Sequence, residues 1–406
     1  MSDPVDIDGP ALLADLEALN SFGTGQGAGV SRVAFSAADL AGREFVDHRL
    51  RDLGLTVRRD PLLSTVARLP GTHAGLAPIA LGSHTDTVPD GGRYDGALGV
   101  VAAVACARAL VSGKRPLRHP LEVINFVSEE ATMGAGTLGS SAMVQDVHRA
   151  LDATAWDGRP VREHLRGAGV DLARIDEARR APGELAAYLE LHIEQGATLW
   201  RSGQRLAVVE GIVGIRRYEL EFRGEANHAG TTAMEDRRDA LVLAAPLVGT
   251  VREIALACGI VGTVGMLRVE PGASNVIPGR VVMECELRSL DEARLDEAEA
   301  LLSERTRTGS GSLRRLAGKE PVPCDPGLVA ALDEVVASFG VGTRRMPSGA
   351  GHDAMAVAGI CPVAMLFVPS EHGVSHAPGE RTSPEDCVLG ARALLAALRE
   401  VDRRLD

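Results

Sequence analysis

The near-continuously apolar runs of this chain constrain its fold more than any other feature. Residues 77–84 (APIALGSH) end one such run, and residues 121–130 (LEVINFVSEE) form a second that stops on two glutamates. Residues 186–196 (AAYLELHIEQG) and 362–370 (PVAMLFVPS) make a third and a fourth. A strand with one wet face alternates apolar and polar residues, so runs this continuous belong to a sheet covered on both faces. Between the first two lies YDGALGVVAAVACARALVSG, residues 94–113, with helical apolar spacing. After the fourth comes SPEDCVLGARALLAALREVDRRL, with Ser383 and Glu385 near its start as helix-opening signals. Strands alternating with helices predict an α/β core.

Residues 211–323 read differently. Their strands (IRRYELEFRG and VVMECELRS) alternate with a period of two and flank amphipathic helices at residues 236–259 and 291–307. A strand–helix–strand–strand–helix order predicts an inserted α+β domain of ferredoxin-like type. GSGSLRRLAG, from residue 309, reads as a flexible loop. The expected organisation is a main domain of residues 1–210 and 324–406, with a mixed sheet between helices, interrupted by residues 211–323. At roughly 100–200 residues per domain, a chain of 406 residues has room for both.

Charge and composition narrow the function classes. The formal net charge is −12 and no basic run stands out, so the field repels phosphate backbones and a nucleic-acid partner is not expected. The N-terminus, MSDPVDIDGPALLADLEALN, lacks the basic-then-apolar pattern of a signal peptide. The longest apolar stretch, residues 96–110, is too short for a bilayer and contains Arg108, so no membrane association is expected and the chain reads as cytoplasmic. Six scattered cysteines without a CxxC pair read as small core residues of a reducing compartment.

The chemistry-bearing residues collect where strands end, which is where open α/β sheets build their sites. His84 and Asp86 follow the first run as HTD, Asp95 opens the next helix, and Glu129 with Glu130 close the second run. His192 lies in the third, and His376 sits in the loop HGVSHAPGE after the fourth. Singly, each has a plain structural explanation: Asp95 as a helix N-cap, the glutamates as a solvated edge, a histidine as a surface hydrogen-bonder. Five segments placing ligand-type residues at strand ends is a different matter. Mixed His and carboxylate donors suit Zn, Mn, Co or Ni rather than Ca, and their number exceeds what one tetrahedral catalytic zinc needs. The surplus points to two divalent ions.

The blocks GSHTDTVPDGGRYDGALG, SEEATMGAGTLGS, LELHIEQG, HAGTTAMEDRRDA, ASNVIPG, SGAGHDAM and GVSHAPGE, spread from about residue 80 to residue 395, resemble the hydantoinase/carbamoylase branch of the aminoacylase-like metallopeptidases. That branch holds N-carbamoyl-L-amino-acid hydrolases, allantoate amidohydrolases and bacterial-type β-ureidopropionases. The resemblance implies a metal-dependent amidohydrolase that cleaves a linear, non-peptide C–N bond of a small carboxylate-bearing substrate through a metal-bridging water. It implies a bridging Asp95, with His84 and His192 completing one metal site and Glu130 and His376 the other. Glu129 is implied as general base, and Asp86 as the residue that orients His84 and fixes its tautomer. Within residues 211–323, implied to be a lid and dimerisation domain, His228 is the oxyanion donor given across a homodimer interface. Asn275 and Arg288 match positions that bind the substrate carboxylate, and Gln195 matches a position close to substrate or metal.

The departures bear on substrate. Where the branch commonly continues its glutamate pair with Gly-Ser-Arg-Phe, this chain has Ala131, Thr132, Met133 and Gly134. That stretch is expected to line the pocket, where Met133 cannot bind an anion as arginine would. Ala233, Glu286 and Arg381 stand where proline, aspartate and tyrosine are common. Alternatives are therefore a di- or aminopeptidase, an aminoacylase-like or deaminating activity on an atypical amide or amine, and a non-catalytic binding protein on the same fold.

Overall fold

The computed structural model describes residues 6–24, 27–341 and 344–405. Its strands, in chain order, are β1 (Thr56–Arg59), β2 (Thr65–Leu69), β3 (Ile79–His84), β4 (Leu121–Phe126), β5 (Ala187–Ile193), β6 (Ala207–Ile212), β7 (Gly214–Arg223), β8 (Val261–Glu270), β9 (Arg280–Ser289), β10 (Gly311–Lys319), β11 (Val322–Pro323), β12 (Arg345–Ser348) and β13 (Val363–Val368). The chain divides into two compact units, Met1–Glu210 with Cys324–Asp406, and Gly211–Pro323.

The larger unit is built on a mixed sheet in the order β1-β2-β4-β3-β5-β13-β6, with β12 also on β6. β4, β3, β5 and β13 are mutually parallel neighbours, and every residue in them is buried, as their unbroken apolar character requires. Helix Ala97–Ser112 is apolar apart from Arg108 and its last residue, with 13 of its residues buried, so it has the pattern of a core helix. Helix Pro384–Arg404 is amphipathic; Ser383 caps it, accepting from the N–H of Asp386, and Pro384 occupies its first turn. Two further helices, Gly9–Asn20 and Ala37–Asp52, lie in a stretch where the sequence reading placed no element. All six cysteines are buried and free, in keeping with core residues.

The second unit is a four-stranded antiparallel sheet, β10-β7-β9-β8, with helices Ala240–Cys258 and Glu292–Thr308. Its strand–helix–strand–strand–helix–strand order is that of a ferredoxin-like unit. Tyr218, Leu220 and Phe222 of β7 pack with Leu247, Val251, Leu295 and Leu302 of the helices. The segment expected to be a flexible loop from residue 309 is instead largely strand β10, paired antiparallel with β7 from Gly311↔Phe222 to Lys319↔Ile215. Pairing with an already buried neighbour outweighs the weak local preference of its glycines and serine. Gly311 lies under the Phe222 ring, where a Cβ would meet it at 2.5 Å.

Among the described residues, one helix is long and apolar enough to span a bilayer, Ala240–Cys258; the helix within the apolar stretch from residue 96 is shorter. One face of it, with Ala244, Leu247 and Val251, fills the core, while Val242 and Leu256 on the other are exposed.

Candidate active site

Because β4, β3, β5 and β13 run parallel, their carboxyl ends open on one edge of the sheet. His84 is the last residue of β3, Glu129 and Glu130 follow β4, His192 is the penultimate residue of β5, and His376 follows β13. Among the side-chain-bearing residues beyond these strand ends that hold positive φ are Ser128 (54°), Gln195 (60°) and His376 (56°). Each such backbone costs on the order of 1–3 kcal/mol and persists only where its surroundings over-determine it.

Asp95 stands at the centre of two groups of donors. His84 Nε2 and His192 Nε2 lie 3.5 and 3.3 Å from its Oδ1. His376 Nε2 lies 3.2 Å from its Oδ2 and also 3.2 Å from Glu130 Oε1. Within each triad, His84–Asp95–His192 and Asp95–Glu130–His376, the donor atoms lie within 4.8 Å of one another. Glu129 reaches the first triad, with Oε2 3.7 Å from His84 Nε2.

Hydrogen bonds aim these groups. The Nδ1 proton of His84 goes to the backbone oxygen of Asp86 at 3.0 Å, and that of His192 to the oxygen of Ile193 at 2.9 Å, so Nε2 of both rings turns inward. His192 Nε2 accepts from the N–H of Gly96 at 3.1 Å. Gly96 has φ 62°, and a Cβ there would sit 2.4 Å from the His84 ring; only glycine admits the imidazole. The Asp86 carboxylate stands beside the His84 ring and has a further task. It pairs with His84 Nδ1 at 3.8 Å and also accepts from the N–H groups of Glu129 (3.3 Å) and Glu130 (3.2 Å), holding the glutamate turn. Behind it, the buried Arg43 donates to the oxygens of Asn125 and Phe126 and pairs with Asp39 at 2.9 Å, with Asp86 at 3.7 Å.

Gln195 donates from Nε2 to Asp95 Oδ2 at 2.6 Å, and that nitrogen is 3.4 Å from His376 Nε2. Its Oε1 is buried without a partner.

The electrostatics are those of crowded buried carboxylates. Burial, then the charge of Glu130, pushes Glu129 well above the usual carboxylate range, with His84 acting against it. Burial and the neighbouring Asp95 push Glu130 up to about 7. Burial opposes the charge on Asp95, but His192 and the other imidazoles outweigh it and hold that carboxyl well below its ordinary value. A hydrogen bond to Asp95 raises His376 to about 9. This donor set, three inward imidazole nitrogens with carboxylate oxygens and one aspartate shared between two triads, fits divalent cations of the Zn, Mn, Co or Ni type.

A third cluster, Glu190, His192 and His352, is also compact but its donors are spoken for. Glu190 accepts from Ser83, Tyr188 and the N–H of Ala354, and His352 Nε2 is 2.7 Å from Ser348 Oγ. The His352 ring meets that of His192 edge-on at 4.4 Å, so this group backs the site rather than adding a metal centre. Burial, then His192, depresses His352, keeping it neutral.

In the second unit the structure brings His228 and Asn275 together. The Asn275 carbonyl accepts from the N–H of Ala229 at 3.0 Å, His228 and Val276 form a β-bridge, and both side chains are exposed. Arg288 is not with them. It lies eight residues along β9 from Arg280, roughly 27 Å at strand spacing, and donates to Glu286.

The expectation that Met133 lines the pocket is corrected. A 3-10 turn, Ala131–Met133, swings this side chain into a core with Val33, Phe35, Leu62 and Leu138, leaving it 1% exposed. Gly134 follows at φ 78°, with Ala153 Cβ only 2.5 Å from where a Cβ would be.

The sequence reading missed Arg43, Gly96, Glu190, His352, Ser375 and Glu380. The acid in GVSHAPGE stood beside a named ligand and was the most findable.

The model of peptidase family M20/M25/M40 matches residues 80–400. The chain is 36% identical to an N-carbamoyl-L-amino acid amidohydrolase of Geobacillus stearothermophilus, over 96% of this chain and 97% of that one. It is 32% identical to a ureidoglycolate hydrolase of Arabidopsis thaliana, over 99% and 88%. Among solved structures it resembles an amidase of the hydantoinase/carbamoylase family from Burkholderia multivorans, with TM-score 0.89, 34% identity and coverage of 99% and 100%.

Proposed function

The chain belongs to peptidase family M20/M25/M40, and on that footing we propose that it hydrolyses the terminal C–N bond of an N-carbamoyl or ureido carboxylate with two divalent cations. The observation that carries this reading is Asp95, whose two oxygens each face a separate triad. In this reading His84 and His192 would hold one cation and Glu130 and His376 the other, with Asp95 available to both. Such cations supply Lewis acidity, bringing the pKa of water towards ~7 and polarising a carbonyl. Glu129, its proton affinity raised by burial, takes a proton from water and returns it to the leaving nitrogen. Asp86 keeps that carboxylate in place through the two backbone amides. Gln195, its Oε1 unpartnered, meets the substrate beside Asp95.

The substrate carboxylate is met by Arg288 and Asn275, a guanidinium fork and an amide suited to two-pronged recognition, and His228 donates to the oxygen that gains charge. Since His228 and Asn275 lie near one end of β9 and Arg288 near the other, a single copy does not offer all three to one small molecule. A homodimer does, each site drawing on both copies. Edge strand β8, with exposed Val261 and Leu267, and the exposed Val242 and Leu256 of the adjacent helix suit a two-fold contact with a second copy.

The test strips the protein with a chelator, restores it with Mn, Zn, Co or Ni, and follows ammonia from N-carbamoyl-L-amino acids, allantoate, ureidoglycolate and β-ureidopropionate. Metal-restored ammonia release from one of these supports the reading. Cleavage of dipeptides with no ammonia from the panel overturns it.

A further inference from the structure

Glu380 has no role in the chemistry above, yet its buried carboxylate ties two loops of the site together. Oε1 accepts from the N–H groups of Tyr94 (2.8 Å) and Asp95 (3.0 Å). Oε2 accepts from the hydroxyl of Ser375 (2.7 Å) and the N–H of His376 (3.3 Å). Ser375 Oγ is also 2.9 Å from Asp95 Oδ2. The Asp95 loop leaves β3 and the His376 loop leaves β13, with β5 between them in the sheet, so no ladder hydrogen bond links the two. The fold has made room for this carboxylate: a Cβ on Gly92 would lie 2.0 Å from its Cδ.

We infer that Glu380 is a positioning residue that sets Asp95 against His376 and thereby determines how tightly the Asp95–Glu130–His376 triad holds its cation. The inference rests on the two-cation reading. Its physical basis is an asymmetry between the triads. His84 and His192 belong to strands, and their rings are fixed by backbone carbonyls. His376 sits in a loop with a left-handed backbone and a half-exposed side chain, and its own amide is anchored on Glu380. A glutamine at 380 keeps the volume but has one acceptor oxygen and one NH2 group facing donors on both sides. The Ser375 hydroxyl can reverse and accept from that NH2, whereas a backbone N–H cannot. The favoured rotamer therefore keeps its oxygen on Tyr94 and Asp95 and loses His376.

The experiment titrates metal-free wild type, Glu380→Gln and Ser375→Ala with Mn or Zn in equilibrium dialysis, counting equivalents and measuring the affinity of each. For Glu380→Gln the first equivalent should bind as in wild type and the second about tenfold or more weakly, the cost usual for losing a partner that orients a ligand. Ser375→Ala should move the second equivalent the same way by less, and it carries the test alone if Glu380→Gln does not fold. Two equivalents at wild-type affinity, or both weakened equally, overturn the inference. A wild-type protein that takes up a single equivalent overturns the two-cation reading and this inference with it.

Discussion

His376, held at about 9 by its hydrogen bond to Asp95, carries a proton at pH 7 on the nitrogen that a cation needs. Glu130, pushed to about 7 by burial, is then about half protonated. Cation uptake must displace these protons, so it releases them and tightens as the pH rises from about 6 to 9, levelling off once both groups are bare. Calorimetric titration with Zn or Mn in buffers of different ionisation heat should show net proton release at pH 7 that diminishes as the pH rises. Proton-independent uptake at pH 7 would place the cation on other residues. The residue that makes this coupling strong is Asp95: it lifts both Glu130 by its charge and His376 by its hydrogen bond.

Among the elements, the 3-10 turn Ala131–Met133 decides where the most divergent side chain goes. It follows directly on Glu130, and Gly134 completes it with a left-handed backbone, so Met133 turns away from the acidic cluster and into the core. Replacing Met133 by arginine does not restore an anion contact in such a place. It buries a guanidinium among apolar side chains, at a cost of about 3 kcal/mol or more. Urea unfolding of Met133→Arg should show that loss, with no gain in affinity for a substrate carboxylate. A variant as stable as wild type with a lowered KM would mean that the side chain reaches the pocket after all.

At the scale of the whole molecule, the proposed homodimer has the partner copy supply His228. On the proposed function, Glu129→Gln would remove the proton carrier and His228→Ala the oxyanion donor, so each should be nearly inactive by itself. Co-expressed in equal amounts, half of the proposed dimers would be mixed, and one of their two sites would then have an intact Glu129 and a partner's intact His228. Activity should return to about a quarter of wild type. No recovery in mixed dimers confirmed by mass would show that His228 serves its own copy.

Much of the site was legible in the sequence because strand ends are legible. An unbroken apolar run that stops on His84, Glu129–Glu130 or next to His192 announces both a buried parallel strand and the residue at its mouth, and the motif around His376 supplied the rest. Only the tertiary structure could decide what holds those ligands in register. The Arg43 guanidinium reaches the strand-end carbonyls at 125 and 126 from a helix more than eighty positions earlier, and Glu380 reaches Tyr94 and Asp95 across nearly three hundred. Neither separation leaves a local pattern in the chain. The same holds for Met133 and for strand β10: one side chain's direction is set by a left-handed glycine, the other segment's state by the neighbour it pairs with. Periodicity and motifs are properties of neighbours along the chain. Orientation, burial and hydrogen-bond partnership belong to neighbours in space, and folding alone assigns them.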